Sequence, residues 1–131
     1  MTQSNDFSGT WRFCYWWPSN NKPGTEEPSE YVGKIQKRGD ELIFESHPNE
    51  EKSYMFVRMT VDGDLVTGTW HEDTSPTGEF KGAQYSGAFQ VLRNPENTIM
   101  NGKWAGIGGE AEGKRDIYTG RLQFHRTDKQ E

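Results

Sequence analysis

The chain has 131 residues, of which 31% are hydrophobic and 13% are aromatic, and its formal net charge is −5. This length predicts one domain spanning 1–131, with an ordered core of about 7–125 and flexible termini, and the aromatic content excludes a disordered chain. The negative charge argues against long nucleic acid as a partner, because binding it requires a surplus of Lys and Arg.

Alternation of apolar and polar residues predicts eight β-strands, and no stretch has the 3.6-residue period of a helix. Turn-forming sequences separate most strands, so neighbouring strands are expected to pair antiparallel. We expect an all-β fold in which the strands close into a single eight-stranded, up-and-down β-barrel, with two long connections, 17–30 and 74–80, at its rims. The predicted strands are 8–17, 30–38, 41–46, 53–61, 64–73, 82–93, 97–106 and 115–125.

Six of these strands place a glycine between two apolar residues that share its face, as in Val66-Gly68-Trp70. Such a glycine points into the core and costs about 0.5–1 kcal/mol relative to alanine, so it needs a compensating reason. Two reasons remain open: the glycines let a curved sheet close around a solid core, or they form an aromatic-walled cup for one small ligand. The cup predicts that at least one of three substitutions is nearly neutral for thermal stability while it abolishes binding of the small molecule: Gly68→Val, Gly87→Val or Gly102→Val.

Five motifs in the second half of the chain carry a resemblance to known families. They are TGTW (67–70), TSPTG (74–78), KGAQYSGAFQV (81–91), MNGKWAGIG (100–108) and YTGRLQF (118–124). In order and spacing they resemble the C-terminal β-barrel domain of actinobacterial Xre-type helix-turn-helix regulators. More distantly, the pattern is similar to the lipocalin-like barrels of the calycins and to the avidins, whose first strand opens much as Gly9-Thr10-Trp11 does here. It is also similar to the cyclic-oligonucleotide-sensing β-barrel of bacterial two-transmembrane antiphage effectors.

These resemblances imply a bacterial sensor that binds a small molecule and reports to an attached module, in signalling or antiphage defence. The chain contains neither a helix-turn-helix segment nor a transmembrane helix, so we expect a detached sensor domain or a stand-alone carrier that does not contact a membrane. Without a signal-peptide pattern at its N-terminus, it is expected to be cytoplasmic. A homo-oligomer or a separate effector protein would then be its protein partner.

The expected ligand site combines aromatic rings that stack on a ligand with polar groups, including the TSPTG segment, that select it. A nucleotide or cyclic oligonucleotide is the sharpest expectation, partly from the resemblance and partly because flat bases suit stacking platforms. For Arg58 two interpretations stay open, since it either lies along the outer face with its tip in water or reaches the ligand. The predicted ligand-binding residues are Trp11, Tyr15, Arg58, Trp70, Gln84, Tyr85, Trp104 and Tyr118.

Catalysis and metal binding receive little support from the sequence. The three histidines lack metal-ligand spacing, and the chain has no nucleophile elbow, P-loop, dinucleotide fingerprint or zinc motif, so we expect no metal, no cofactor and no enzyme activity. Cys14 is expected to be an inert thiol, and Glu72 and Asp73 to be solvated rim charges. A small isomerase or cyclase is a distant third hypothesis.

The adjacent residues Trp16 and Trp17 precede Pro18 at the end of the first predicted strand. Because adjacent strand residues face opposite sides, one of the two tryptophans must point outward. An exposed tryptophan beside a loop is often a contact residue. The alternative function is therefore a protein-interaction or oligomerisation barrel with a solid core, which uses Trp16 and Trp17 as its surface.

Overall fold

The computed structural model describes residues 6–18, 24, 26–47, 53–73, 84–108 and 117–127. Over these ranges the chain is all-β, and its eight antiparallel strands close into a barrel in chain order, with the last strand paired to the first. The predicted fold class is therefore confirmed. The strands are β1 Gly9–Pro18, β2 Glu26–Arg38, β3 Glu41–Ser46, β4 Tyr54–Asp62, β5 Leu65–Asp73, β6 Gln84–Arg93, β7 Ile99–Gly108 and β8 Tyr118–Arg126.

Strand β2 begins four residues before its predicted start, at Glu26 instead of residue 30, and contains Pro28. Its first residues pair with β1 alone, because β3 joins β2 only from Gly33 onward. Proline is compatible with a strand that has an unpaired side. The proline-rich composition that predicted a long connection here therefore lies partly within a strand.

The two ends of the barrel differ in how the strands are connected. At one end, which we call the turn end, the connections are 39–40, 63–64 and 94–98, and Gly39 and Gly63 adopt positive φ angles of 61° and 64°. At the opposite end, which we call the loop end, all four connections include residues outside the described ranges. Those four connections are 19–25, 47–53, 74–83 and 109–117.

Phe7 and Trp11 close the turn end, and we call them the plug. The Trp11 ring is fully buried, stacks on Phe7 with 6.5 Å between ring centroids, and donates its indole N–H to the Phe7 carbonyl at 2.8 Å. Arg126 lies over the Trp11 ring at 4.5 Å and donates to the carbonyls of Asp6 and Ser8 at 2.6 and 2.7 Å. The segment that precedes β1 is thereby fixed across the turn end, and its contacts block access from that side.

Aromatic rings occupy the barrel interior between this plug and the loop end. Phe13, Phe44 and Phe124 contact one another with ring centroids 4.8 to 5.8 Å apart. Nearer the loop end, the Tyr15 ring on β1 lies 5.8 Å from the Trp70 ring on β5. Because β1 and β5 are on opposite sides of an eight-stranded barrel, these two rings meet across the lumen. The interior at this level is filled, as the solid-core explanation of the glycines requires.

Three of the interior glycines mark places where neighbouring strands approach closely. A Cβ added at Gly68, Gly87 or Gly102 would lie less than 3.0 Å from a backbone carbonyl oxygen of the adjacent strand. A backbone carbonyl within a ladder cannot move aside as a flexible side chain can. The expectation that a valine is nearly neutral at one of these positions is contradicted by this geometry, and close strand packing is the reason for these glycines.

Candidate functional site

A carboxyl group is buried inside the barrel at the loop end. Glu72 on β5 is 4% exposed, and it accepts a hydrogen bond from the Tyr15 hydroxyl at 2.5 Å and a second from the Tyr31 hydroxyl. The expectation that Glu72 is a solvated rim charge is wrong. The same alternation that buries Trp70 also buries Glu72 two residues later, whereas Asp73 has the opposite parity. We call Tyr15, Tyr31 and Glu72 the polar cluster.

Burial sets the protonation behaviour of this cluster. It raises the pKa of the Glu72 carboxyl above its ordinary value, because the carboxylate loses hydration, while the hydrogen bonds from Tyr15 and Tyr31 act in the opposite direction. The pKa of Tyr15 is raised well above its ordinary value, first by burial and then by the nearby Glu72 charge. Tyr15 therefore keeps its proton at neutral pH and acts as a donor to Glu72.

Trp70, two residues before Glu72 on the same strand face, has an unused hydrogen-bond donor. Its side chain is 5% exposed, and its indole N–H has no acceptor among the residues that the structure describes. The ring lies over Gly106 on β7, where an added Cβ would come within 3.0 Å of it. This glycine is thus required to make room for the indole. Leaving a buried donor unpaired costs about 1–3 kcal/mol, so the position calls for a compensating reason.

Trp104 on β7 is buried to the same degree, but its donor is satisfied. It is 6% exposed, and its indole N–H donates to the Trp16 carbonyl at 3.0 Å. That carbonyl is available because the ladder between β1 and β8 ends at Tyr15. As Gly106 does for Trp70, Gly120 makes room for this indole, because an added Cβ would come within 3.0 Å of it. Two tryptophans in similar surroundings therefore differ in one respect, the hydrogen bond of the indole.

The structure brings together four of the predicted ligand-binding residues near the loop end. The rings of Tyr15, Trp70 and Trp104 contact one another, with centroids 5.5 to 5.8 Å apart. Tyr85 on β6 is half-buried against the same core and is the cross-strand partner of Glu72. The sequence reasoning did not include Tyr31 and Glu72, although both have inward parity in their strands.

The other four predicted residues lie elsewhere. Trp11 is part of the plug at the turn end. Arg58 lies on the outer face of β4, where its guanidinium pairs with the Glu41 carboxylate at 2.9 Å, so its tip is in water and it does not face the interior. Gln84 and Tyr118 are exposed at the loop-end starts of β6 and β8. The TSPTG segment, 74–78, is outside the described residues.

Trp16 is the outward-facing member of the tryptophan pair. Trp17 is half-buried against the core, and its indole N–H donates to the Ser29 hydroxyl at 2.9 Å. The Arg121 guanidinium lies over the Trp16 ring at 4.2 Å and pairs with Glu26 at 3.0 Å. The outer surface near the loop end therefore presents an indole covered by a paired cation.

A groove of about 250 Å³ adjoins Trp16 on the outer face of β1, β2 and β8. Burial raises the pKa of the Cys14 thiol in this groove to about 11. The thiolate, which is the reactive form, is therefore scarce at neutral pH, in agreement with the expected inert thiol. The groove is lined by Arg12, Cys14, Trp16, Glu30, Gln123 and His125.

Over the described ranges, the chain has no group of three side chains suited to hold a metal ion and no helix long and apolar enough to cross a membrane. A scan against models of known protein families and searches of characterised proteins and of solved structures find no match to this chain. The resemblance to regulator barrels, calycins and avidins therefore stays a prediction, and the polar cluster is the candidate functional site.

Proposed function

We propose that this chain is a non-catalytic barrel that binds a small molecule at its loop end. The observation that carries the proposal is the unpaired indole N–H of Trp70, which is buried on the same strand face as a carboxyl group held by two phenols. Apolar side chains at these positions would avoid the free-energy cost of burying polar groups. A ligand with a hydrogen-bond acceptor would satisfy the Trp70 donor and offset part of that cost.

The closed turn end and the filled lumen restrict where a ligand can bind. Phe7 and Trp11 block the turn end, and the rings of Tyr15, Trp70 and Trp104 fill the lumen below the loop end. The proposed site is therefore the loop-end side of these three rings. Their faces suit a flat ligand, and a nucleotide-like ring is the class that the proposal favours. A role in bacterial signalling or antiphage defence rests on the family resemblance alone.

A binding role fits this cluster better than a catalytic one. A general base must be able to accept a proton from a substrate. Both oxygens of Glu72 already accept hydrogen bonds from phenols, and Tyr15 holds its own proton because its pKa is raised. The cluster can therefore accept and donate hydrogen bonds, and it lacks an available acid–base pair.

Three measurements test the proposed function. Native mass spectrometry of the purified protein is expected to show a retained small molecule, or else tryptophan fluorescence and thermal shift should detect binding from a panel of nucleosides, nucleotides and cyclic dinucleotides. Tyr31→Phe, which removes one of the phenols that hold Glu72, is expected to weaken binding. Arg58→Ala on the outer face is the control and should leave binding unchanged. No retained mass and no binding across the panel would contradict the proposal.

A second candidate function, protein interaction, is favoured by Trp16 on the outer face. Its half-buried indole, the Arg121 guanidinium above it and the adjoining groove make a surface of the kind that contacts partners. Trp16→Ala retains the carbonyl that Trp104 needs, so it changes this surface while keeping the interior hydrogen bond. Loss of self-association in sedimentation velocity on Trp16→Ala, with ligand binding unchanged, would support this candidate. An unaltered sedimentation coefficient would count against self-association through Trp16.

A further inference from the structure

The groove on the outer face of the barrel is separate from the loop end and has its own chemistry. It lies over β1, β2 and β8, and Arg12, Cys14 and Glu30 are among the residues that line it. We propose that this groove binds a small zwitterion of amino-acid size, whose anionic group meets Arg12 and whose cationic group meets Glu30. The site is independent of the polar cluster, because the barrel wall separates the two.

Arg12 and Glu30 carry opposite charges in the same groove but do not pair with each other. Glu30 is the cross-strand partner of Cys14, which places it diagonal to Arg12, two residues earlier on β1. Both side chains are exposed, and neither forms an ion pair or a hydrogen bond with another described residue. Diagonal neighbours in an antiparallel ladder are within reach of long side chains. One small molecule can therefore bridge these two free charges.

The buried Cys14 thiol forms the floor of the groove between the two charges. Burial is the main cause that raises its pKa, the Glu30 carboxylate raises this pKa further, and the Arg12 guanidinium lowers it. Both charges therefore act on the same sulfur. Arg121, a further cation near the thiol, already pairs with Glu26 at 3.0 Å. A protonated thiol behaves as a small apolar group, so a ligand above it would contact charge at its two ends and an apolar floor between them.

The cationic side of the groove contains two residues that cannot neutralise each other. Arg12 and His125 are direct cross-strand partners on β1 and β8. Like charges directly opposite each other destabilise a sheet, so a protonated His125 would oppose Arg12. An anionic ligand group would compensate both side chains, and a carboxylate matches the planar guanidinium with two parallel hydrogen bonds. The anionic end of the ligand is therefore assigned to Arg12.

The volume of the groove, about 250 Å³, limits the size of the ligand. Sites for drug-sized molecules have about 300–1,000 Å³, so this groove suits a smaller compound. Trp16 also lines the groove, and its half-buried ring offers an apolar contact to a side chain of the ligand. A free amino acid combines both charges, a small volume and an apolar side chain. Because water screens exposed charge pairs, we expect affinities in the millimolar range.

The experiment uses sets of compounds that differ by one charged group. One set is L-leucine, isocaproate, which lacks the ammonium group, and isoamylamine, which lacks the carboxylate. The second set is L-phenylalanine, hydrocinnamate and phenethylamine. Binding to the full chain is followed by ¹H–¹⁵N NMR at the Trp16 indole and at the backbone amides of Arg12 and Cys14. In at least one set, we expect the amino acid to bind about threefold or more tightly than either analogue, because each analogue loses one ion pair.

Two substitutions should each remove the preference for one charge. Arg12→Gln is expected to bind the amino acid and its amine analogue with equal affinity, whereas Arg12→Lys, which keeps the cation, should retain the preference. Glu30→Gln is expected to bind the amino acid and its carboxylate analogue with equal affinity. Arg58→Ala, on the outer face of β4, is the control and should leave every affinity unchanged.

Three results would overturn the inference. The first is a singly charged analogue in each set that binds as tightly as the amino acid, because the groove would then be a plain cation or anion site. The second is a preference for the amino acid that survives both Arg12→Gln and Glu30→Gln. The third is the absence of any shift at the groove resonances with both sets. None of these results bears on the proposed function at the loop end, which the nucleotide panel tests separately.

Discussion

Trp70→Phe and Trp104→Phe make the same chemical change at two buried positions, but we expect them to differ in their cost to stability. The two residues are 5% and 6% exposed, so each substitution removes a similar amount of apolar packing, and this part of the cost largely cancels in the comparison. What remains is the hydrogen bond of the indole. Trp104 donates to the Trp16 carbonyl, whereas Trp70 has no acceptor among the described residues.

The expected magnitude follows from this difference. Trp104→Phe leaves the Trp16 carbonyl unpaired, which lowers the free energy of unfolding by about 1–3 kcal/mol. Trp70→Phe removes an unpaired donor, which raises the free energy of unfolding by about the same amount. Trp16 is only half-buried, so water can partly replace the lost partner of its carbonyl. We therefore expect Trp104→Phe to reduce the free energy of unfolding by about 2–4 kcal/mol more than Trp70→Phe does.

Urea denaturation of the ligand-free protein, followed by circular dichroism, measures both values on one scale. The slopes of the transitions should agree between the variants, since both expose the same strands on unfolding. Two results would refute the assignment of the Trp70 indole as an unpaired donor. One is a loss in the free energy of unfolding that is equal for both variants within about 0.5 kcal/mol, which is close to the limit of such comparisons. The other is a larger loss for Trp70→Phe than for Trp104→Phe.

Three further predictions concern other parts of the barrel. Gly102→Val should lower the free energy of unfolding by about 3 kcal/mol or more, because the valine Cβ would overlap the Gln90 carbonyl. A nearly neutral result in urea denaturation would contradict the close approach of the two strands. Glu72→Gln should become more stable relative to wild type as the pH rises from about 4 to 7, because a carboxyl whose pKa is raised in the folded state loses its contribution to stability as it ionises. A stability difference independent of pH would contradict the raised pKa of Glu72. Arg126→Met keeps apolar cover over Trp11 but removes the donors to the carbonyls of Asp6 and Ser8. We expect it to lower the free energy of unfolding by about 2–4 kcal/mol in thermal or urea unfolding without changing ligand affinity. A wild-type stability would count against the role of these contacts at the turn end.

The fold was accessible to sequence reasoning because its signals are local. The period of two persists through most of the strands, although β3 buries the consecutive residues Leu42, Ile43 and Phe44. Turn residues such as Gly39 and Gly63 mark where the chain reverses. All predicted strand limits lie within three residues of the observed ones except the start of β2. That start was missed because Pro28 normally indicates a connection, and its tolerance depends on which neighbours β2 has in the closed barrel.

The site was less accessible because it depends on contacts across the lumen. Parity alone places Glu72 inward, but a carboxyl group is usually solvated, and that general rule led to the wrong expectation. Its partners, Tyr15 and Tyr31, are 57 and 41 residues away in the chain and reach it only after the barrel closes. The unpaired donor of Trp70 is a property of its surroundings, and Trp104 has the same sequence signal with a different outcome.

The most direct test of the central claim is the ¹H–¹⁵N spectrum of the indole N–H groups, with the Trp70 resonance assigned through its loss in Trp70→Phe. Hydrogen bonding moves an indole proton downfield. In the ligand-free protein we therefore expect the Trp70 resonance upfield of those of Trp11 and Trp104, which donate to carbonyls. Addition of a nucleoside that binds should move the Trp70 resonance downfield by more than any other indole resonance. Two results would contradict the claim that this donor is held open for a ligand. The Trp70 resonance would already coincide with those of Trp11 and Trp104, or it would stay in place while a ligand binds.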